Sequence, residues 1–179
     1  MLYRVKQFYS AITAKVKEEE VQFISQYLNP MERELFYKMS IIDQRHALDV
    51  SYKVKEYLIN RKIVADEDDM ELKIMIKAAL LHDVGKRAGD LTIMDRILIV
   101  LLERFLPDCI QRWALKGKGG FIQNRRHAFF VAVNHGKLGA ELLQKIGCDQ
   151  DVINLVIDHH RPDALYRRIK ILKEADRNS

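Results

Sequence analysis

The feature that most constrains the fold is the near-absence of residues that interrupt helices. The chain has 179 residues, of which only 8 are Gly and 3 are Pro, and either residue destabilises a helix interior. Apolar residues recur at every third or fourth position along most of the chain, for example at Val50, Val54 and Leu58. The strict alternation that indicates β-strands is missing. The sequence therefore predicts an all-α fold, a compact helical bundle.

Caps and breakers place the helix boundaries. A first amphipathic stretch ends at Asn29-Pro30, and Ser40 with Asp43 has the form of a capping box that starts a helix running to about Asn60. Further helices are expected at residues 66–83, 92–106, 125–146 and 150–160, with a last one from near Asp163. We expect residues 1–30 to form an N-terminal helical extension and residues 31–179 to form the main domain.

Composition narrows the class of protein. The longest strongly apolar run is residues 97–102, far short of the ~20 residues that a membrane span needs. The basic N-terminus has no apolar stretch typical of a secretion signal, and two cysteines make no disulfide framework, so we expect a cytoplasmic protein with reduced thiols. The net charge is +5. The sequence nevertheless lacks the alternating aromatic and basic residues typical of proteins that bind single-stranded nucleic acid, so nucleic acid is not the expected partner. The sequence is compatible with a homo-oligomer.

Histidines and acids at the edges of buried helix faces carry the chemistry. His82 and Asp83 stand where an apolar stripe ends, and a buried, unpaired carboxylate is costly unless a cation compensates it. Three more histidines and one more acid share faces with apolar residues: His46, His135, His159 and Asp176. Imidazole with carboxylate suits Mn, Fe, Co, Ni or Zn, and the absence of nearby cysteine argues against a closed structural zinc site.

The order of these residues resembles that of a known family. His46, then the segment Leu-His-Asp-Val-Gly-Lys at residues 81–86, then the distant Asp176 resemble the HD superfamily of metal-dependent phosphohydrolases, over about residues 40–179. The resemblance implies an HD-type helical bundle. It also implies one divalent metal held by His46, His82, Asp83 and Asp176.

A second set of residues resembles the two-metal branch of that superfamily. His135, within residues 134–143, and the pair His159-His160 would hold a second metal to which Asp83 bridges, with one or both of the paired histidines as ligands. That branch includes cyclic-dinucleotide phosphodiesterases and hydrolases of dinucleoside tetraphosphates. In one group of these phosphodiesterases a Gly-Tyr-Pro motif follows the paired histidines. That motif is absent here, since Arg161 directly follows His160.

The resemblance implies hydrolysis of a phosphoester or phosphoanhydride bond in a small, nucleotide-like substrate of cyclic-dinucleotide or dinucleoside-polyphosphate type. Two cations, Fe or Mn in the first place, would share a hydroxide that attacks phosphorus. The resemblance assigns Lys86 to the scissile phosphate, and Arg125, Arg126 and Arg161 are candidates for further phosphates because guanidinium binds phosphate bidentately. The alternatives are a single-metal nucleotidase, a non-catalytic signalling or interaction module and, more weakly, RNA processing.

Overall fold

The computed structural model describes residues 17–66, 68–161 and 166–179, and these contain nine helices and no strand. The all-α prediction is therefore confirmed. The predicted helical residues 2–16 and the predicted helix start near Asp163 lie outside the described residues. The helices are α1 (Glu18–Tyr27), α2 (Pro30–Tyr37), α3 (Ile41–Asn60), α4 (Met70–Leu81), α5 (Ile93–Phe105), α6 (Pro107–Trp113), α7 (Phe121–Lys145), α8 (Gln150–Asp158) and α9 (Arg167–Arg177).

Side-chain caps start several of these helices, at the predicted residue for α3 but four residues after the predicted start at residue 66 for α4. The Ser40 hydroxyl accepts a hydrogen bond from the Asp43 amide at 3.3 Å, and the Asp69 carboxylate accepts from the Glu71 amide at 2.8 Å. Each cap satisfies an amide that has no partner within the helix. Helix α7 begins four residues before the predicted start at residue 125.

Most buried apolar side chains belong to one main core. Helices α3 and α4 pack along each other most extensively, with Leu48 and Leu72 fully buried between them and the surrounding helices. Helix α1 adds Ile24 to the same core. The division into an extension and a main domain at residue 30 stays a prediction.

A second, smaller core lies under α5 and α6. Ile99 of α5, Ile110 of α6 and Phe129 of α7 are its buried members. Helix α7 belongs to both cores, because Leu143 near its other end is buried in the main core. The long helix therefore joins an outer layer of α5 and α6 to the main bundle. Across the described residues, no helix has the length and apolar character needed to cross a bilayer.

Candidate metal centre

Five helices bring the seven predicted ligands to one place. The ligands come from α3, the end of α4, the middle of α7, the end of α8 and α9. Six of them form two groups, in each of which the potential ligand atoms lie within 4.8 Å of one another, and the seventh is Asp83. The first group is His46, His82 and Asp176, and the second is His135, His159 and His160.

The first group is held together around one carboxylate oxygen. Asp176 Oδ1 lies 2.9 Å from His46 Nε2 and 3.8 Å from His82 Nε2. These contacts join α3, α4 and α9, which are far apart in sequence. Three different helices thus place two imidazole nitrogens and a carboxylate around one point.

The second group is packed more tightly, and Asp83 lies between the two groups. His135 Nε2 lies 2.8 Å from His160 Nε2 and 3.3 Å from His159 Nε2. Asp83 Oδ1 is 3.2 Å from His135 Nε2, and its other oxygen is 3.6 Å from His82 Nε2. One carboxylate therefore offers an oxygen to each group, the arrangement that a bridging ligand requires.

Backbone carbonyls orient three of the histidines. Nδ1 donates to the carbonyl of the residue three positions earlier, at 2.8 Å from His82, 2.7 Å from His135 and 2.6 Å from His159. A carbonyl can only accept, so the proton must be on Nδ1. In the neutral ring, Nε2 is then left with a free lone pair directed into the centre. A histidine that ligates a metal is commonly held by such a second hydrogen bond.

The donor set fits a divalent cation. Nε2 of His82 is buried and has no hydrogen-bond partner among the described residues. The lone pairs of His135 Nε2 and His159 Nε2 converge at 3.3 Å with no proton available to lie between them. A cation at each group would satisfy these nitrogens and the carboxylates together, and this mixture of imidazole and carboxylate suits transition metals.

Burial and neighbouring charge keep the second group neutral. Burial, together with the positive Lys86, holds the pKa of His135 well below its usual value. Burial and the neighbouring His82 and His160 lower the pKa of His159 to about 3. These rings are therefore uncharged near neutral pH, with the proton on Nδ1 and Nε2 free, which is the state that binds metal.

The carboxylates are correspondingly ionised. Burial alone would favour the neutral acid, but Lys86, His82 and His135 hold the pKa of Asp83 well below its usual range. Burial also opposes ionisation of Asp176, yet the hydrogen bond from His46 keeps its pKa low. The centre thus combines the neutral imidazoles of the second group with charged carboxylates, whereas in the first group Asp176 and Asp83 raise the pKa of His46 although burial opposes its charge.

Lys86 lies directly beside the bridging carboxylate. Its Nζ is 2.8 Å from Asp83, and burial, which opposes the charge, is outweighed by Asp83 and Asp43, so the pKa of Lys86 is raised. Behind it, Arg96 holds both oxygens of Asp43, at 2.8 and 2.7 Å. Sequence reasoning missed this pair because it treated Asp43 only as a capping residue. The available signal was Arg96, which together with Asp95 interrupts the otherwise apolar segment 93–102.

The three predicted phosphate-binding arginines lie in different settings. Arg125 forms an ion pair with the buried Asp95, and Arg126 donates to the carbonyl of Trp113 at 3.2 Å. The Arg161 side chain is 66% exposed and 3.6 Å from Asp158, next in the chain to His160. Their role in substrate binding stays a prediction, for which Arg161 has the most accessible guanidinium of the three.

Glycines allow the elements of the centre to approach closely. A Cβ built on Gly85 would lie 2.1 Å from the backbone oxygen of His135, and one on Gly136 would lie 3.1 Å from that of Val156. The loop after His82-Asp83 therefore packs directly on the backbone of α7, as α7 does on α8. The glycine of the 81–86 motif is explained by this contact.

Comparison with known proteins gives one match. The family model of the HD domain matches residues 43–179, a span that contains all seven predicted ligands. No curated protein matches the chain, and no solved structure does. HD domains bind divalent metals, and membership suggests metal-dependent phosphohydrolase activity in general. The match covers most of the sequence, and the chain belongs to the HD domain family.

Proposed function

We propose that this chain is a two-metal phosphohydrolase acting on a phosphoester or phosphoanhydride bond of a nucleotide-like substrate. The observation that carries the proposal is the position of Asp83, with one oxygen 3.2 Å from His135 of the second group and the other 3.6 Å from His82 of the first. A single-metal site needs no such carboxylate between two clusters. We assign His46, His82, Asp83 and Asp176 to one metal and Asp83, His135, His159 and His160 to the other.

The chemistry that bound divalent metals supply is activation of water and neutralisation of phosphoryl charge; Fe or Mn is expected. Asp83 and His82 are almost fully buried, so the side of the centre that these residues line is shielded from bulk water. Lys86 Nζ would donate to a non-bridging phosphoryl oxygen, because its positive charge already lies 2.8 Å from the bridging carboxylate. Fixed charge of this kind stabilises negative charge that grows in the transition state.

The rim of the centre indicates where the rest of the substrate lies. His160 is exposed while His135 and His159 are buried, so the second group opens to solvent at the end of α8. Arg161 follows at that opening with an exposed guanidinium. A substrate with a second phosphate or a linked nucleotide would reach Arg161, which supports cyclic dinucleotides and dinucleoside polyphosphates as the substrates to screen.

Metal stoichiometry tests the proposal. We expect about two ions per chain by elemental mass spectrometry of anaerobically purified protein, in keeping with a two-metal centre. We expect His135→Ala to lose one of them together with most phosphodiesterase activity. His127→Ala is the matched control, because His127 lies near Asp90, at 3.4 Å, and belongs to neither group.

The alternatives give different results in the same experiment. One ion per chain, with activity and metal content unchanged in His135→Ala, would indicate the single-metal nucleotidase. No bound metal after reconstitution with Mn or Fe would indicate a non-catalytic module. A screen of cyclic dinucleotides and dinucleoside polyphosphates on the loaded protein then tests the substrate class separately from the metal count.

A further inference from the structure

Helix α5 presents an apolar face to solvent. Its inward side carries the buried Asp95 and Ile99. At 100° per residue, its exposed apolar side chains cover an arc of roughly 160°, in which Arg104 is the charged residue. This apolar face consists of Ile93, Met94, Ile97, Leu98, Val100, Leu101 and Phe105, all at least 36% exposed.

Exposure on this scale is not a consequence of ordinary surface composition. Single exposed apolar residues are common, but contiguous patches on one helix face mark interaction sites. Met94 is 61% and Phe105 is 72% exposed, although both lie on a helix with apolar neighbours on the same side. The outward side of α5 is therefore suited to contact something other than water.

The exposed charge of residues 93–140, the segment that contains α5 and the helices that follow it, is predominantly basic. No acidic residue occurs from Cys109 to Ala140. Within residues 93–140 the exposed acids are Glu103 and Asp108, whereas the exposed bases are Arg104, Arg112, Lys116, Lys118 and Lys137. Lys118 is paired with Asp90, but Arg104, Arg112 and Lys116 form no salt bridge within the part of the chain that the structure describes.

We propose that the apolar face of α5 docks on an anionic lipid surface. Helices that lie in the membrane interface combine an apolar face with basic flanks, and their binding depends on buried apolar area and on attraction to anionic lipids. The two helices that follow α5 also expose aromatic side chains, Trp113 at the end of α6 and Phe121 at the start of α7, and Trp and Phe are typical of surfaces that insert into the membrane interface. The docking would hold the chain at a membrane without a span.

Charge decides between a lipid surface and a second copy. A two-fold dimer brings each patch against itself, so Arg104, which has no salt-bridge partner among the described residues, and the neighbouring basic residues would meet their own like charges. Anionic headgroups are complementary to the same groups. The lipid surface is therefore the occupant that both the apolar and the charged features fit.

Vesicle flotation of the full-length chain tests this proposal. We expect binding to vesicles of phosphatidylcholine with about one third phosphatidylglycerol, and much weaker binding to phosphatidylcholine alone, because basic residues near the surface contribute to binding. Arg104→Gln with Lys116→Gln should reduce binding roughly 20- to 30-fold, since each basic group near the surface is worth about fivefold.

A second variant pair tests the apolar contribution. Met94→Ser with Phe105→Ser should lower binding to the anionic vesicles by at least about tenfold, since apolar burial is lost. Met70→Ser with Tyr166→Ser is the matched control, because these side chains are 68% and 75% exposed elsewhere. Circular dichroism of every variant verifies that the helical fold is retained.

Three results would overturn the proposal. Equal binding to neutral and anionic vesicles would remove the role of charge. Absence of flotation, combined with a dimer in analytical ultracentrifugation that Met94→Ser with Phe105→Ser dissociates, would show that the apolar face joins two copies. A monomer that floats with neither kind of vesicle would leave the face without the assigned partner. None of these results depends on hydrolytic activity, so they are distinct from a failure of the proposed function.

Discussion

Gly85 lies where the loop that follows His82-Asp83 crosses α7. The backbone oxygen of His135 occupies the position that a Cβ on Gly85 would approach to 2.1 Å. Because that neighbour is backbone rather than the end of a flexible side chain, it cannot move aside without moving a helix that carries a ligand.

Gly85→Ala should therefore destabilise the protein by about 3 kcal/mol, the upper part of the range for overpacking, and should also reduce metal content. Urea unfolding measures the first effect and elemental analysis the second. Gly120→Ala is the control, since no atom lies within 4 Å of its Cβ position, and we expect it to cost no more than about 1 kcal/mol. Equal effects of the two substitutions would contradict the steric explanation.

Lys86 is the residue whose assigned role can be separated from metal binding. It lies 2.8 Å from Asp83 but offers no lone pair to a cation when it is charged. Lys86→Met should lower kcat for a simple diester such as bis-p-nitrophenyl phosphate by about 10²- to 10³-fold, as removal of one fixed transition-state donor does, with full metal content. Lys137→Met, on the exposed side of α7, should change neither quantity. Loss of metal from Lys86→Met would instead give the lysine a structural role.

Cys148 should react slowly despite being partly accessible. Burial and the Glu32 carboxylate, 3.3 Å from Sγ, raise the pKa of the Cys148 thiol to about 12 from 9.0. The protonated thiol is favoured in the folded state, so its contribution to stability is present below pH 9 and is lost as the pH rises toward 12.

At pH 8, alkylation of Cys148 by iodoacetamide should be about a thousandfold slower in the folded than in the urea-unfolded protein, because the thiolate is the nucleophile. Mass spectrometry of tryptic peptides assigns the label to Cys148 or Cys109. Similar rates in the two states would show that the thiol is not held protonated by its surroundings.

At the scale of secondary-structure elements, one ion pair ties the outer layer to the metal centre. Arg96 of α5 donates to both oxygens of Asp43 on α3, at 2.8 and 2.7 Å, and Asp43 is only 2% exposed. Asp43 lies one helical turn before His46, so this pair fixes α5 against the helix that carries the first ligand.

Arg96→Ala should destabilise the protein by about 3–5 kcal/mol, because it leaves a buried carboxylate without its counter-charge. Arg168→Ala removes another double ion pair, to Glu71 and Asp151, but the Arg168 side chain is 37% exposed, so we expect a loss of at most about 1 kcal/mol. Denaturant unfolding of both variants measures the difference. A loss below 1 kcal/mol for Arg96→Ala would contradict the burial argument.

The helices and the family resemblance could be predicted from sequence because their signals are local, whereas the assignment of the metal ligands stays a prediction. Ser40 caps α3 as predicted, and the family match to residues 43–179 confirms the HD resemblance. The Arg96–Asp43 pair and the contact of Gly85 with α7 could not be predicted, because each depends on how distant helices pack. The same limit applies to α5, whose apolar sequence predicts a helix but not that one side of it faces outward.

At the scale of the whole molecule, the proposed metals would join five helices that are otherwise held by apolar packing and by ion pairs such as that of Arg168 with Glu71. A ligand that binds only the folded state stabilises it by about 4 kcal/mol at a thousand times its Kd. For a chain of this size each kcal/mol corresponds to about 2–4 °C in Tm. Removal of both proposed ions, at about 4 kcal/mol each, should therefore lower Tm by about 16–32 °C.

Differential scanning calorimetry before and after dialysis against a chelator measures this shift, and re-addition of Mn or Fe should reverse it. The double variant His46→Ala, His135→Ala should show one Tm under all three conditions. A metal-dependent Tm in that variant would place the stabilising ion elsewhere in the molecule.

Helix α7 passes through both cores without interruption, and this has a mechanical consequence. Phe129 in the small core and His135 in the centre lie six residues apart on it, about 9 Å along the axis. A continuous helix transmits displacement along its length rather than absorbing it. Movement of α5 and α6 against the main bundle would therefore shift the imidazole of His135. The position of this outer layer thus influences the distance between the two groups of ligands.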